Sequence, residues 1–165
     1  MNYYLIGMMG SGKSTIGKLL AKKLHTPFLD LDHYIEVKNK MSIKNIFKEK
    51  GENYFRQLET NALLEIKKSN IVVACGGGII LNHRNRKNIS SNGKVIFLKA
   101  SISSLKNRLH SKIDRPLLNN KNIEEELIKI WSQRKNYYYE TAEITINTND
   151  FNPEKLSNQI IESLN

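Results

Sequence analysis

The chain has one cysteine in 165 residues, Cys75, so no internal disulfide can form and a reducing compartment, the cytoplasm, is expected. No run of about 18 apolar residues occurs, which argues against a membrane-spanning helix and a membrane partner. The first residues contain no basic region followed by an apolar segment and a cleavage site, so no signal peptide is expected. Blocks of roughly five or six like charges are missing, as is any interleaving of basic and aromatic residues. These absences weigh against a nucleic-acid partner despite a net charge of +10. Twenty Lys stand with twenty Asn and twenty Ile, a bias spread over the whole chain, and Lys22, Lys23, Lys38, Lys40, Lys67 and Lys68 fall on solvated helical stretches. Such a field would still attract small anionic substrates.

Scarcity also marks particular residues. Only four Asp occur, and two of them form Asp30-Leu31-Asp32. Only six Arg occur, so each is a candidate for a place that needs a planar fork of donors. Of nine glycines, three lie between Gly7 and Gly12 and three form Gly76-Gly77-Gly78. The length suits one domain, and there is no internal repeat, low-complexity tract or linker.

What the chain does have is organised around Gly7-Met8-Met9-Gly10-Ser11-Gly12-Lys13-Ser14, followed by Thr15. This fits the phosphate-loop pattern G-x-x-x-x-G-K-[ST] without a mismatch. The apolar run Tyr3–Ile6 before it suits a buried strand, and Ile16, Leu19, Leu20 and Leu24 after it share one helical face. The glycines let backbone N–H groups converge on phosphate oxygens at a helix N-terminus. Lys13 then reaches the β- and γ-phosphates and the Ser14 hydroxyl can hold Mg²⁺.

Pro27-Phe28-Leu29 reads as a second strand, ending at Asp30-Leu31-Asp32, beside the ligand crevice of an open α/β sheet. Two readings stand for this pair. One carboxylate serves Mg²⁺ and its waters while the other serves a substrate hydroxyl, or Asp32 caps a helix over His33–Lys40. Ser42 caps the next helix, which Gly51 closes. A longer helix then buries Phe55, Leu58, Ala62 and Ile66 and carries Arg56 and Glu59, three apart. Those two are either a solvated ion pair or a carboxylate holding an arginine fork for an anionic substrate group. The strand Ile71–Ala74 runs into Gly76-Gly77-Gly78, whose entropic cost suggests close approach of backbone to a ligand, and Cys75 reads as a small buried residue at the strand end. Residues 82–92 suggest a short polar helix, 94–98 a strand, and Ser101 caps a helix ending near Arg108. Ser111–Asn122, with Arg115-Pro116-Leu117-Leu118, has little periodicity and reads as a lid or binding loop. A helix from about Ile123 places Arg134 and Tyr138 on nearly one face. A strand with Ile144 and Ile146 and a helix opened by Asn152-Pro153 complete the chain.

Taken together, the phosphate loop, Asp30-Leu31-Asp32, Phe55-Arg56-x-x-Glu59, the glycine triplet, Arg115-Pro116-Leu117-Leu118 and Arg134 with Tyr138-x-x-x-Ala142 resemble the shikimate kinases over essentially the whole chain. The resemblance implies an α/β, three-layer P-loop NTPase fold of the nucleoside-monophosphate-kinase type. A five-stranded parallel sheet would be flanked by helices in one domain, 1–165, with a substrate-binding segment at about 32–60 and a lid at about 111–122. It implies transfer of the ATP γ-phosphoryl group to the 3-hydroxyl of shikimate, with Mg²⁺, in a monomeric cytoplasmic enzyme. By resemblance, Gly10, Ser11, Gly12, Lys13, Ser14 and Thr15 hold ATP, Arg108 lies against adenine, and Arg115 swings onto the phosphates. Asp32 takes the ring hydroxyls, Arg56 and Arg134 the carboxylate, with Gly76, Gly77 and Gly78 beside them. Glu59 orients Arg56, and Asp30 lies near the Mg²⁺ held by Ser14. Lys13, Asp32 and Arg115 form the catalytic set. The chain departs from the family pattern at Cys75, where a Thr is usual, and at Asn136, where Arg-x-Pro-x-Tyr loses its proline. No residue near Asp150-Phe151 matches the family's adenine side. A kinase of gluconate or of a nucleoside monophosphate, and a non-catalytic nucleotide-binding module, share the phosphate loop. The arginine pair, Asp32 and the glycines favour a small hydroxylated carboxylate instead.

Overall fold

Tyr4, Leu5 and Ile6 are all fully buried, as a strand covered on both faces must be. They lie in β1 (Asn2–Ile6) at the centre of a parallel sheet. The computed structural model describes residues 1–66, 70–109 and 122–164, and among these the sheet has five strands. The others are β2 (Phe28–Asp30), β3 (Val72–Ala74), β4 (Gly93–Lys99) and β5 (Ile144–Asn147), in the order β2-β3-β1-β4-β5. Tyr3 pairs with Val72 on one side of β1 and with Lys94 on the other. Alternation along each strand divides the core. Leu5, Val72, Ile96 and Leu98 pack with α1 (Lys13–Lys23) and α7 (Pro153–Leu164). Tyr4, Ile6, Val73, Val95 and Phe97 pack with α2 (Leu31–Asn39), α3 (Ile43–Leu64), α4 (His83–Asn92), α5 (Ile102–Leu109) and α6 (Ile123–Thr141).

Local chemistry sets the helix boundaries. Ser42 Oγ accepts the N–H of Asn45 at 3.2 Å and starts α3, which breaks at Gly51 (φ 82°, ψ 170°) into residues 43–50 and 52–64. At α2 the capping residue is Asp30, not Asp32. Asp30 leaves β2 in an extended conformation and its carboxylate accepts the N–H of His33 at 3.3 Å. The helix therefore starts at Leu31, two residues before the expected His33, and Asp32 falls in its first turn. Helix α6 runs through Asn136 without a break, so Arg134 and Tyr138 stay one turn apart.

Helix α1 lies close to the sheet at Gly17, where an added Cβ would stand 2.6 Å from Phe28 Cε2 and 3.0 Å from Leu5 Cδ1. Overpacking of this kind typically costs about 1–3 kcal/mol, against a gain of about 1 kcal/mol for replacing a helical glycine by alanine. Gly17→Ala is thus expected to lower stability by about 1 kcal/mol, a fall of roughly 2–4 °C in Tm. An unchanged or higher Tm would show that the Phe28 ring moves aside freely.

Candidate active site

Parallel strands deliver their C-terminal ends to one edge of the sheet, and the site lies there. The loop after β1 turns at Gly7, Gly10 and Gly12, all with positive φ, and enters α1 at Lys13. Gly12 is the N-cap and supplies no side-chain oxygen, and the first turn carries no acidic residue. Neither the cap nor the first turn therefore offers an anion of its own to the first amides of α1, which suits a phosphate. The Lys13 ammonium donates to the carbonyls of Gly7 (2.9 Å) and Met8 (3.0 Å) and folds over the loop. Ser14 Oγ donates to Asp30 at 2.5 Å, so the end of β2 and the start of α1 present a hydroxyl and a carboxylate together. Such an all-oxygen pair fits Mg²⁺, which keeps several waters and takes the rest of its ligands from substrate phosphates. No group of three or more His, Cys, Asp or Glu able to cage a metal occurs among the described residues.

A cavity of about 330 Å³ opens over this loop, lined by Gly10, Gly12, Lys13, Thr15, Arg108 and Phe151 among others. Arg108 donates to the carbonyls of Gly10, Thr148 and Asn149, and its guanidinium lies 4.7 Å from the centre of the Phe151 ring. Phe151 also rests on Gly12. Proximity of Phe151 to the phosphate loop comes from the long-range packing of α7 on α1. Cys75 lines the same cavity, and burial pushes its thiol up, which makes it an unreactive small side chain.

A second cavity of about 540 Å³ adjoins the first and shares Met9, Ser14, Asp30, Asp32 and Gly77 with it. Its floor is the glycine triplet. The Arg56 guanidinium lies directly on Gly78, so that a Cβ there would fall inside it. Arg56 donates through Nη1 to Glu59 (2.5 Å) and through Nη2 to Glu52 (2.8 Å). Glu52 escaped the sequence reading, although its i, i+4 spacing to Arg56 was a usable signal. Arg134 reaches the cavity from α6, 4% exposed, with its Nη1 3.5 Å from where a Cβ of Gly77 would stand. Tyr138, one turn on, donates its hydroxyl to the Gly77 carbonyl at 2.5 Å and takes a hydrogen bond from Arg134; burial pushes its pKa up to about 12. Two arginines from different helices thus converge over backbone, and Asp32 lines the same cavity, with its carboxylate against Gly76.

Glu59 is fully buried. Burial pushes its pKa from 4.5 up to about 7 against the pull of Arg56, with Asp32 adding to the rise and Arg134 opposing it. The folded chain therefore holds this proton more tightly than the unfolded chain does. The stability contributed is full below about pH 4.5 and is lost as pH rises through about 7. Arg115 and the expected lid lie outside the described residues, apart from Asn122, whose side chain caps α6.

The shikimate kinase family model matches residues 9–165. A shikimate kinase of a Sulfurihydrogenibium species is 42% identical over 164 residues, covering 99% of this chain and 97% of the relative. Shikimate kinase from Acinetobacter baumannii, solved in complex with shikimate, has a TM-score of 0.96 at 37% identity and covers 99% of this chain and 92% of that one. A deoxyadenosine kinase from M. mycoides with bound dATP has a TM-score of 0.67 at 16% identity over 99% of each chain, a likeness of fold alone. No helix among the described residues is long and apolar enough to cross a membrane. Agreement in sequence and in shape along nearly the whole length leaves one assignment: the chain belongs to the shikimate kinase family and is a phosphotransferase that takes a hydroxyl group as acceptor.

Proposed function

We propose that the larger cavity seats shikimate and the smaller one the ATP phosphates, so that the γ-phosphoryl group passes to the 3-hydroxyl of shikimate between Lys13 and Asp32. The observation that carries this reading is the paired arginine site, with Arg56 and Arg134 meeting over Gly77 and Gly78 beside Asp32. A nucleoside monophosphate would bring a phosphate and a flat base, whereas this site offers two guanidinium forks for one carboxylate and a carboxylate for hydroxyls. The whole chain, 1–165, would work as one domain, with residues 32–60 on the acceptor side.

Phosphoryl transfer asks the protein mainly to position the reactants and stabilise charge. The loop amides of residues 10–15 hold the phosphates and Lys13 turns from the Gly7 and Met8 carbonyls onto the transferred group. Asp32 accepts the proton of the attacking hydroxyl. Arg56 and Arg134 hold the acceptor's far end, so that the hydroxyl rather than water faces the phosphorus. Arg108 and Phe151 border the place for the base. Arg115, assigned from the resemblance, would reach the phosphates from the 111–122 segment. Ser14 directly, and Asp30 through water, would hold Mg²⁺, which neutralises phosphate charge when bound. The enzyme would act as a cytoplasmic monomer, without nucleic acid.

Shikimate-dependent ADP release, indifferent to added RNA or DNA, tests the reading; release with gluconate or a nucleoside monophosphate and none with shikimate would replace it. Arg56→Lys keeps the charge but loses the fork, and it also frees Glu52 and Glu59 from their bonds. The KM for shikimate is expected to rise roughly ten- to a hundredfold, with the KM for ATP changed by less than about threefold. The opposite pattern would put Arg56 on the wrong ligand.

A further inference from the structure

We propose that docking of the acceptor's carboxylate between Arg56 and Arg134 draws one proton from solvent onto Glu59, so that acceptor affinity falls as pH rises. This rests on the reading of the larger cavity as a carboxylate site. Glu59 is a positioning residue here, since it touches Arg56 and not the acceptor.

The charges around Glu59 can be counted. From its own helix, α3, it faces Arg56, and through Arg56 the half-exposed Glu52. From α2 comes Asp32, from α6 come Arg134 and Tyr138, and Cys75 comes from the end of β3. The buried part of this group holds two guanidinium cations and two carboxylates, which balance. A third carboxylate leaves a net negative charge in a place that water reaches poorly, and buried charge without compensation is costly. One proton restores the balance. The guanidiniums are already protonated at any pH of interest, and burial keeps both Tyr138 and Cys75 protonated. Asp32 is only partly buried and lines the cavity, where water can still reach its side chain, whereas Glu59 is fully buried. The proton therefore goes to Glu59.

Geometry allows it. Glu59 Oε2 accepts from Arg56 Nη1 at 2.5 Å, while Oε1 lies against the backbone of Gly76 and has no hydrogen-bond partner among the described residues. Oε1 can take up the proton as an O–H bond while Oε2 keeps its contact with Arg56. A neutral Glu59 holds Arg56 more weakly, which frees the guanidinium fork to turn to the incoming carboxylate. The group is close to its titration point before any ligand arrives, so the uptake costs little near neutral pH.

The experiment is titration calorimetry of the full chain with shikimate at pH 6, 7 and 8, in buffers of different ionisation enthalpy. The slope of observed heat against buffer enthalpy counts protons. Wild type is expected to take up about half a proton at pH 7, more at pH 8 and close to none at pH 6, and Kd should rise by roughly five- to tenfold from pH 6 to pH 8. Glu59→Gln is expected to bind with no proton uptake and a flat Kd. The methyl ester of shikimate, which brings no charge, should bind wild type weakly and without uptake, and this comparison serves if the variant fails to fold. Binding by wild type without proton uptake, or equal uptake by the ester or by Glu59→Gln, overturns the inference while leaving the carboxylate site in place. No binding of shikimate to wild type overturns the site reading itself, and the inference with it.

Discussion

Lys13→Ala is expected to lower kcat by about a hundred- to a thousandfold in a variant that still folds. Removal of one preorganised donor aimed at developing charge has a cost of that order, because the low-dielectric site gives the interaction far more weight than water would. Lys13 sits at the first position of α1, half-buried, and its ammonium closes over the loop through the Gly7 and Met8 carbonyls. These two bonds are exchangeable for phosphate oxygens without moving the backbone. Alanine suits the helix, so the Tm should change by only a few degrees, whereas on the proposed reading the transferred group loses a positive charge. Lys13→Arg should not restore the rate, since a planar fork on a different stem does not reproduce a compact ammonium. Steady-state kinetics with circular dichroism on the same preparation decides it: a folded Lys13→Ala enzyme turning over near the wild-type rate would remove Lys13 from the mechanism.

The parts of this site that were legible in the sequence are those held together by short stretches of chain. A phosphate loop is one strand, one turn and one helix, so Gly7 through Thr15 could be read as a unit. Arg56 and Glu59 could be read as neighbours because a helix places i and i+3 on one face. Their burial could not be read, because it comes from Gly76 and Gly78 at the end of β3 and from Arg134 on α6, elements far away in sequence. The choice between a solvated ion pair and a held fork turned on that burial. Likewise, the sequence pointed to Asp32 as the cap of α2, and only the point at which β2 ends gives the cap to Asp30. Phe151 went unassigned since its contacts with Gly12 and Arg108 depend on how α7 packs across α1. The loss of the usual proline at Asn136 is harmless to α6 for a local reason: asparagine keeps its backbone N–H, so the helical ladder from Ile123 to Thr141 continues past it.

Asp30 is engaged by the helix cap and by Ser14, and the proposed reading gives the acceptor side of the chemistry to Asp32. Asp32→Asn is therefore expected to lower kcat by about a hundred- to ten-thousandfold, the range for loss of a positioned general base. The amide has nearly the same shape and can still exchange hydrogen bonds with ring hydroxyls, so the KM for shikimate should change by less than about tenfold. Structural loss should be small. Asp32 lies in the first turn of α2 without capping it, so neutralising it removes a dipole interaction of about 0.3–1 kcal/mol. The carboxylate meets Gly76 with Oδ1 2.8 Å from a Cβ position there, on the same flank as Glu59. Its replacement by a neutral amide removes one of the charges that raise the Glu59 pKa, so that value should fall in the variant. Two readouts then separate the roles. A large fall in kcat with shikimate affinity kept makes Asp32 the group that receives the hydroxyl proton. A large fall in affinity with kcat kept would make it a binding group only, and the proton would have to leave by another path.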